Sequence, residues 1–254
     1  MKKLRAVFVA VLLIALTGCS KNSNEKIAGA ETKAEYVAST SWTAAFMDIA
    51  GIDNVEIIAP ASLRHPPEYE VTVSDIQKIT DSKYFVFAGF ERMMKTLGDA
   101  AKDDSKMIKI KCDNSIETVS SEVQKLAEIF GTQKECEKRL AEYKDIIEKT
   151  KKRLEKAGLS DAKVFCNKNQ IYLAKDLGLE VVQIFGPGEV TSEQIAFAKT
   201  NDFAFIIDNV HNPVGAPLSE VAPDAKYIVW RNFPEKVERG ALKNVISANI
   251  ELLF

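Results

Sequence analysis

The chain has little of what usually gives a site away. Its 254 residues include 2 histidines and 4 cysteines. No Cys-x-x-Cys occurs and no dense cysteine framework, so cysteine serves here as a minor stabiliser or as a ligand. There is no Gly-x-Ser-x-Gly, no P-loop, no His-Glu-x-x-His and no dinucleotide fingerprint, which leaves the common catalytic chemistries without a foothold. An enzyme is therefore not expected, and no catalytic residue is assigned. Basic residues are not in excess, with 34 Lys+Arg against 36 Asp+Glu. No basic face stands out, so nucleic acid is not an expected partner. What the chain does have is apolar content, 46%, enough for an ordinary folded core. The length suits one large domain or two small lobes.

The start of the chain reads as an export signal. Lys2, Lys3 and Arg5 form a basic head, and Ala6 to Leu16 is an unbroken apolar run. That run falls well short of the ~20 residues a membrane span needs but suits the h-region of a secretory signal. Leu16-Thr17-Gly18-Cys19 follows and resembles the lipobox of bacterial lipoproteins. The expectation is a signal peptide over 1–18, acylation of Cys19, and a polar flexible tether over 19–32. The protein would then be held at the cell membrane by its lipid, facing the periplasm or the cell exterior. The head's three charges are all basic, so the formal net charge of −2 becomes −5 without them. Cys112, Cys136 and Cys166 remain, an odd number, so at least one is unpaired within the chain.

Beyond the tether the pattern alternates. Strands are expected at 35–39, 55–59, 84–88 and 107–111, with helical stretches between them. One such helix starts near Asp75 with Ser74 as its N-cap. From 115 to 157 no strand signal and no proline occurs. Val119, Val123, Leu126 and Ile129, then Leu140, Tyr143, Ile147 and Leu154, recur at helical spacing. One long helix, or two in sequence with a break at Gly131, is expected to bridge two lobes. If straight it would reach ~60 Å at ~1.5 Å per residue. The α/β rhythm then returns, with strands at 163–166, 180–185, 203–207 and 226–230 and a closing helix at 242–252. The fold class is α/β: an N-terminal lobe over 33–114, a connecting helix over 115–157 and a C-terminal lobe over 158–254. Each lobe carries a parallel sheet flanked by helices.

Several segments resemble the substrate-binding proteins of bacterial ABC importers in which a rigid helix joins two α/β lobes. The zinc/manganese (TroA-like) receptors are the nearest branch. His65-Pro66-Pro67-Glu68-Tyr69-Glu70, then Ser74-Asp75, then Gly89-Phe90-Glu91 are similar to that branch's metal loop, helix start and Gly-x-Glu. Tyr172-Leu173-Ala174 with Gly178-Leu179 is similar to its Tyr-x-Ala and Gly-Leu. The usual ligand positions are substituted. The loop histidine falls on Pro67, a second on Asn167, and Cys112-Asp113-Asn114 stands in place of Asp-Pro-His. After the last strand Trp230-Arg231 replaces the acidic ligand. The resemblance implies a monomeric receptor that delivers its cargo to an ABC permease in the membrane, with a stiff helix limiting lobe movement. Exposed glutamates such as Glu91 and Glu189 would meet the permease.

Ligands of open α/β sheets sit at the carboxyl ends of strands. Besides the residues below, that rule picks out Ser41 and Asn209. Two readings of the cleft stay open. In the first, His65, His211, Cys112, Cys166 and Glu68 hold a transition-metal ion such as Zn or Mn. In the second, Trp42, Tyr69, Phe90 and Trp230 form an aromatic cleft, with Glu91 and Asn167 beside them. Arg231 or Arg64 then grips an anionic solute, a metal chelate or a haem-like cofactor. Cys112 and Cys166 could instead be core residues, or a disulfide.

Overall fold

A computed structural model describes residues 34–97 and 104–254. The expected signal peptide, Cys19 and the tether lie outside the described residues, as does the expected end of the helix after Glu91. Among the described residues no helix is long and apolar enough to cross a membrane.

Two four-stranded sheets are built the same way. In the first, β1 (Tyr36–Ala38), β2 (Glu56–Ile57), β3 (Tyr84–Phe87) and β4 (Met107–Lys109) lie in the order β2-β1-β3-β4. In the second, β5 (Lys163–Asn167), β6 (Glu180–Phe185), β7 (Phe205–Asn209) and β8 (Lys226–Trp230) lie in the order β6-β5-β7-β8. Every pairing is parallel. Parallel strands need crossovers, supplied by α1 (Ser41–Ile49), α2 (Val73–Asp81) and α3 (Met93–Leu97), then by α6 (Ile171–Asp176), α7 (Ser192–Thr200) and α8 (Ala216–Val221). In each sheet the chain leaves the first strand to one side and later returns on the other, which makes a switch point between β1 and β3 and another between β5 and β7. A crevice for ligand opens at such a point. The expected two-lobe α/β class is borne out.

Local signals place the helix starts. Thr40, Thr72 and Thr191 each close a capping box with the side chain three residues on, satisfying two orphan backbone donors at once. The N-cap of α2 is Thr72, not Ser74: the Asp75 carboxylate accepts from the Thr72 amide and hydroxyl at 2.8 and 2.7 Å.

The expected bridge is two helices, α4 (Ile116–Phe130) and α5 (Gln133–Lys156). Gly131 ends α4 in the left-handed region, φ 72°, which glycine adopts without penalty. The chain then doubles back. Cys136 Sγ meets the Val123 carbonyl, and Tyr143 Oη donates to the Asn114 carbonyl, ahead of the start of α4, at 2.8 Å. A straight ~60 Å rod is thus ruled out, and α5 alone, ~36 Å long at ~1.5 Å per residue, runs on toward the second sheet.

One apolar core passes through both lobes. It joins Ala38 and Val86 of the first sheet to Phe46, Val123, Leu140 and Ile147 on the helices, and on to Cys166, Ile207 and Trp230 of the second. Smaller cores cover the outer face of each sheet, around Phe85 and Ile79 in one and Phe165 and Phe185 in the other. The segment after β8 returns to the first lobe through α9 (Ala241–Glu251). There Ser41 Oγ donates to the Pro234 carbonyl at 2.6 Å, and the Gly240 amide donates to Asp48 Oδ2 at 2.8 Å. The buried Arg139 of α5 completes this clasp. It bonds Asp48 Oδ1 at 2.8 Å, Asp53 at 3.0 Å and Glu135 at 2.8 Å.

Candidate functional site

The two switch points face a common cleft of about 400 Å³. From the first lobe come Trp42, at the start of α1 after β1, Phe90 after β3, Cys112 after β4, and the loop residues His65, Pro67 and Glu68. From the second come Asn169 and Tyr172 after β5, Asn209, His211 and Asn212 at the end of β7, and Asn232 and Phe233 after β8.

A run of rings lines it. Phe90 and Trp42 lie 6.2 Å apart between centroids, Trp42 and Phe233 5.5 Å, and Phe233 and His211 3.6 Å at an interplanar angle of 14°. The run passes from one lobe to the other. Asn114 fixes its middle, accepting from Trp42 Nε1 at 3.0 Å and donating to the Asn232 carbonyl at 2.8 Å.

His211 is the chemically distinctive group. It is 5% exposed, and its Nδ1 lies 2.9 Å from the Arg64 carbonyl oxygen. A carbonyl only accepts, so Nδ1 carries the proton and Nε2 keeps its lone pair. That Nε2 is buried and has no partner among the described residues. Burial, with the charges of Arg231, His65 and Arg64 adding to it, lowers the imidazole pKa to about 4, against the pull of the Arg64 carbonyl. The ring is therefore neutral, in the tautomer that a metal or a hydrogen-bond donor would use. Asn212 Oδ1 and Asn232 Oδ1 are likewise buried and unpartnered.

The other expected residues divide. His65 and Glu68 are exposed on the cleft loop, and Cys112, Trp42 and Phe90 line its walls. Burial pushes the Cys112 thiol well up, and the charges of Glu91, Asp113 and Glu122 push the same way. Cys166 is fully buried in β5 and unpaired, so neither a ligand role nor the disulfide is realised. Trp230 is fully buried in the core, not in the cleft. Tyr69 packs on the outer core and donates to Asp75 at 2.9 Å. Asn167 is fully buried and donates to Asp208 at 2.9 Å. Arg231 bonds Glu235 at 2.7 Å and lines a different hollow, between β8 and α9, so it grips nothing in the cleft. Arg64 meets His211 through its backbone carbonyl, and its guanidinium acts on the ring only as a nearby charge.

Glu91 departs from both of its expected roles. At 2% exposed it is neither a cleft ligand nor a surface glutamate. Its carboxylate accepts from the Ala88 and Gly89 amides at 2.8 and 2.6 Å and from Ser39 Oγ, tying the end of β3 to the end of β1. Among the described residues no three His, Cys, Asp or Glu side chains converge as a metal-holding group.

Asn212, Asn232 and Phe233 were not anticipated. The signal that could have found them is their position directly after β7 and β8, where the strand-end rule already pointed.

The architecture defines a fold class: two α/β lobes with a helical connection. No protein-family model matches the chain, and no curated protein matches it. Solved structures do. The SBP FpvC from Pseudomonas aeruginosa in complex with Mn2+ is similar at 17% identity and a TM-score of 0.68, covering 87% of this chain and 97% of that one. The laminin binding protein (Lmb) of Streptococcus agalactiae, described as an adhesin with metal transporting activity, is similar at 18% identity and a TM-score of 0.65, covering 86% and 97%. A periplasmic metal binding protein from Candidatus Liberibacter asiaticus is similar at 17% identity and a TM-score of 0.61, covering 86% and 99%. At these identities the likeness is one of fold, and it is the fold that the motif resemblance implied.

Proposed function

We propose that this chain is the lipid-anchored solute receptor of an ABC importer and that its cargo is a transition-metal ion, Zn or Mn in type, or a complex of one. Cys19 would carry the anchor outside the cytoplasmic membrane, and a permease in that membrane would receive the cargo. The fold and the metal-binding solved structures similar to it support the role. The observation that carries the cargo is His211. A neutral imidazole, oriented by a backbone carbonyl through Nδ1 and left with a free buried Nε2, is the arrangement a metal-ligating histidine needs. Cys112, His65 and Glu68 line the same cleft.

The test is metal content by mass spectrometry on the purified chain, before and after chelation and refilling with Zn2+ or Mn2+. Near-stoichiometric uptake that disappears in His211→Ala supports the reading. A chain that takes up neither ion sinks it.

A second reading has its own observation. The Phe90–Trp42–Phe233 run and four lining asparagines would suit an uncharged organic solute that stacks and hydrogen-bonds. Quenching of Trp42 fluorescence by such a solute, in a chain that ignores metals, would favour it.

A further inference from the structure

One carboxylate ties together the second lobe's share of the cleft. Asp208, in β7, is fully buried, and each of its oxygens accepts twice. Oδ1 accepts from Asn167 Nδ2 at 2.9 Å and from the Asn209 amide at 2.7 Å. Oδ2 accepts from the Gly215 amide at 2.7 Å and from Tyr227 Oη at 2.8 Å. All four partners are neutral donors, so the carboxylate is met by hydrogen bonds and not by a cation. The first lobe secures its own switch point in the same manner, with Glu91 tying the end of β3 to the end of β1.

The Asp208 bonds reach the loops that carry cleft residues. The Gly215 bond pins the far end of the 209–215 loop to the strand it leaves, and His211 and Asn212 lie within that loop. Close approach is needed there, because a Cβ on Gly215 would stand 2.8 Å from Phe185 and 3.0 Å from Asp208 Oδ2. The start of the loop is fixed as well, the His211 amide donating to Asn209 Oδ1 at 3.3 Å. Asn167, also fully buried, carries the tie to the loop after β5, its Oδ1 accepting from the Asn169 amide at 3.0 Å. From this frame His211 reaches the other lobe, its Nδ1 2.9 Å from the Arg64 carbonyl oxygen.

We propose that Asp208 is the positioning residue for the second-lobe wall of the cleft, holding the 209–215 loop so that His211 meets the Arg64 carbonyl of the first lobe. That role is independent of the cargo, since any solute in the cleft would face the same wall. An amide cannot replace the carboxylate. In Asp208→Asn one end of the side chain becomes a donor and faces donors, either Asn167 and the Asn209 amide or the Gly215 amide and Tyr227. Either orientation releases one of the two loops.

The experiment is nitrogen NMR of the imidazoles in the full chain, purified in detergent, stripped by chelator and held at neutral pH, where the His211 ring is uncharged. In the parent, the ring nitrogens of His211 should report one tautomer, Nδ1–H, fixed by the Arg64 carbonyl. In Asp208→Asn they should move to the average of both tautomers that a solvated imidazole shows. His65, exposed on the first-lobe loop, should give the same pattern in both chains and serves as the internal reference. A carboxylate that only stabilised the fold would lower the denaturant midpoint without touching the tautomer. A parent already averaged, or a variant still wholly Nδ1–H, overturns the proposal. Where the variant loses its core, seen as iodoacetamide labelling of Cys166, the unaltered chain decides by hydrogen exchange. The Gly215 amide should then exchange within about tenfold of the Ile207 amide in β7, and faster exchange overturns the proposal. Neither readout involves a metal, so the cargo reading stands or falls separately.

Discussion

Asn114 joins the two lobes through both ends of its side-chain amide, accepting from Trp42 Nε1 at 3.0 Å and donating to the Asn232 carbonyl at 2.8 Å. Its own carbonyl accepts from Tyr143 at 2.8 Å. The residue stands where the resemblance placed a metal-binding motif, and here it holds the run of rings together. Asn114→Leu keeps the volume and removes both side-chain bonds, stranding a buried indole N–H. A loss of about 1–3 kcal/mol is expected, read as a lower denaturant midpoint with an unchanged slope. A midpoint equal to the parent's would mean that the amide contributes nothing.

The clasp on α5 gives an asymmetric pair of variants. Arg139 is 7% exposed and Asp48 8%, whereas the Asp53 carboxylate is 63% exposed. Arg139→Met leaves Asp48 buried without its cation and should cost about 3–5 kcal/mol. Asp53→Asn removes a solvated partner and should cost below about 1 kcal/mol. Similar losses from both, in chemical unfolding, would contradict this account.

Thiol chemistry separates the cysteines by place. Cys136 and Cys166 are buried at 2% and 0% exposure, while Cys112 is half-buried on the cleft. Of these three, Cys112 is expected to be alkylated first, slowly at neutral pH because its pKa is raised, and faster as pH rises. Mass mapping after timed iodoacetamide exposure identifies the order. Labelling of Cys166 ahead of Cys112 would be incompatible with the buried β5.

His211 sets a pH dependence in the chelator-treated chain. Its pKa falls from the usual 6.5 to about 4 on folding. Between those values the unfolded chain binds a proton that the folded chain refuses. Stability from this group is therefore complete above about pH 6.5 and drains away as pH falls toward 4. An NMR titration of the ring should give a midpoint near 4, and a midpoint at 6 or above would place the ring in water.

Much of the fold was legible because local chemistry repeats. Threonine caps, β-rich runs such as Tyr84–Phe87 and the proline-free stretch after Ser115 name their own elements. The direction of the turn at Gly131 was not legible, since a left-handed glycine ends a helix but does not say where the next one goes. That is decided by packing, with Cys136 against Val123 and Tyr143 against Asn114. The site was half legible for a related reason. The strand-end rule pointed to His211, Trp42, Phe90 and Cys112, and these line the cleft. It could not tell which neighbours face the cleft, and Trp230, Cys166, Asn167 and Glu91 turn into the protein's own interior. A buried polar side chain with its bonds made and one with a bond left unmade carry the same letters. Only the partners differ, as the Asn167–Asp208 bond and the free Asn212 oxygen illustrate.

The unbroken apolar interior has a further consequence. Val86 of one sheet and Ile207 of the other belong to the same core, so wide opening would expose that shared interior to water and disrupt the packing of both halves. A receptor of the proposed kind would then keep nearly the same outline full or empty. Any partner that tells the two states apart must read the rim, where the His65–Glu68 loop, Phe90 and Tyr172 stand at the mouth. Occupancy is a message written on the lip of the vessel and not in its shape.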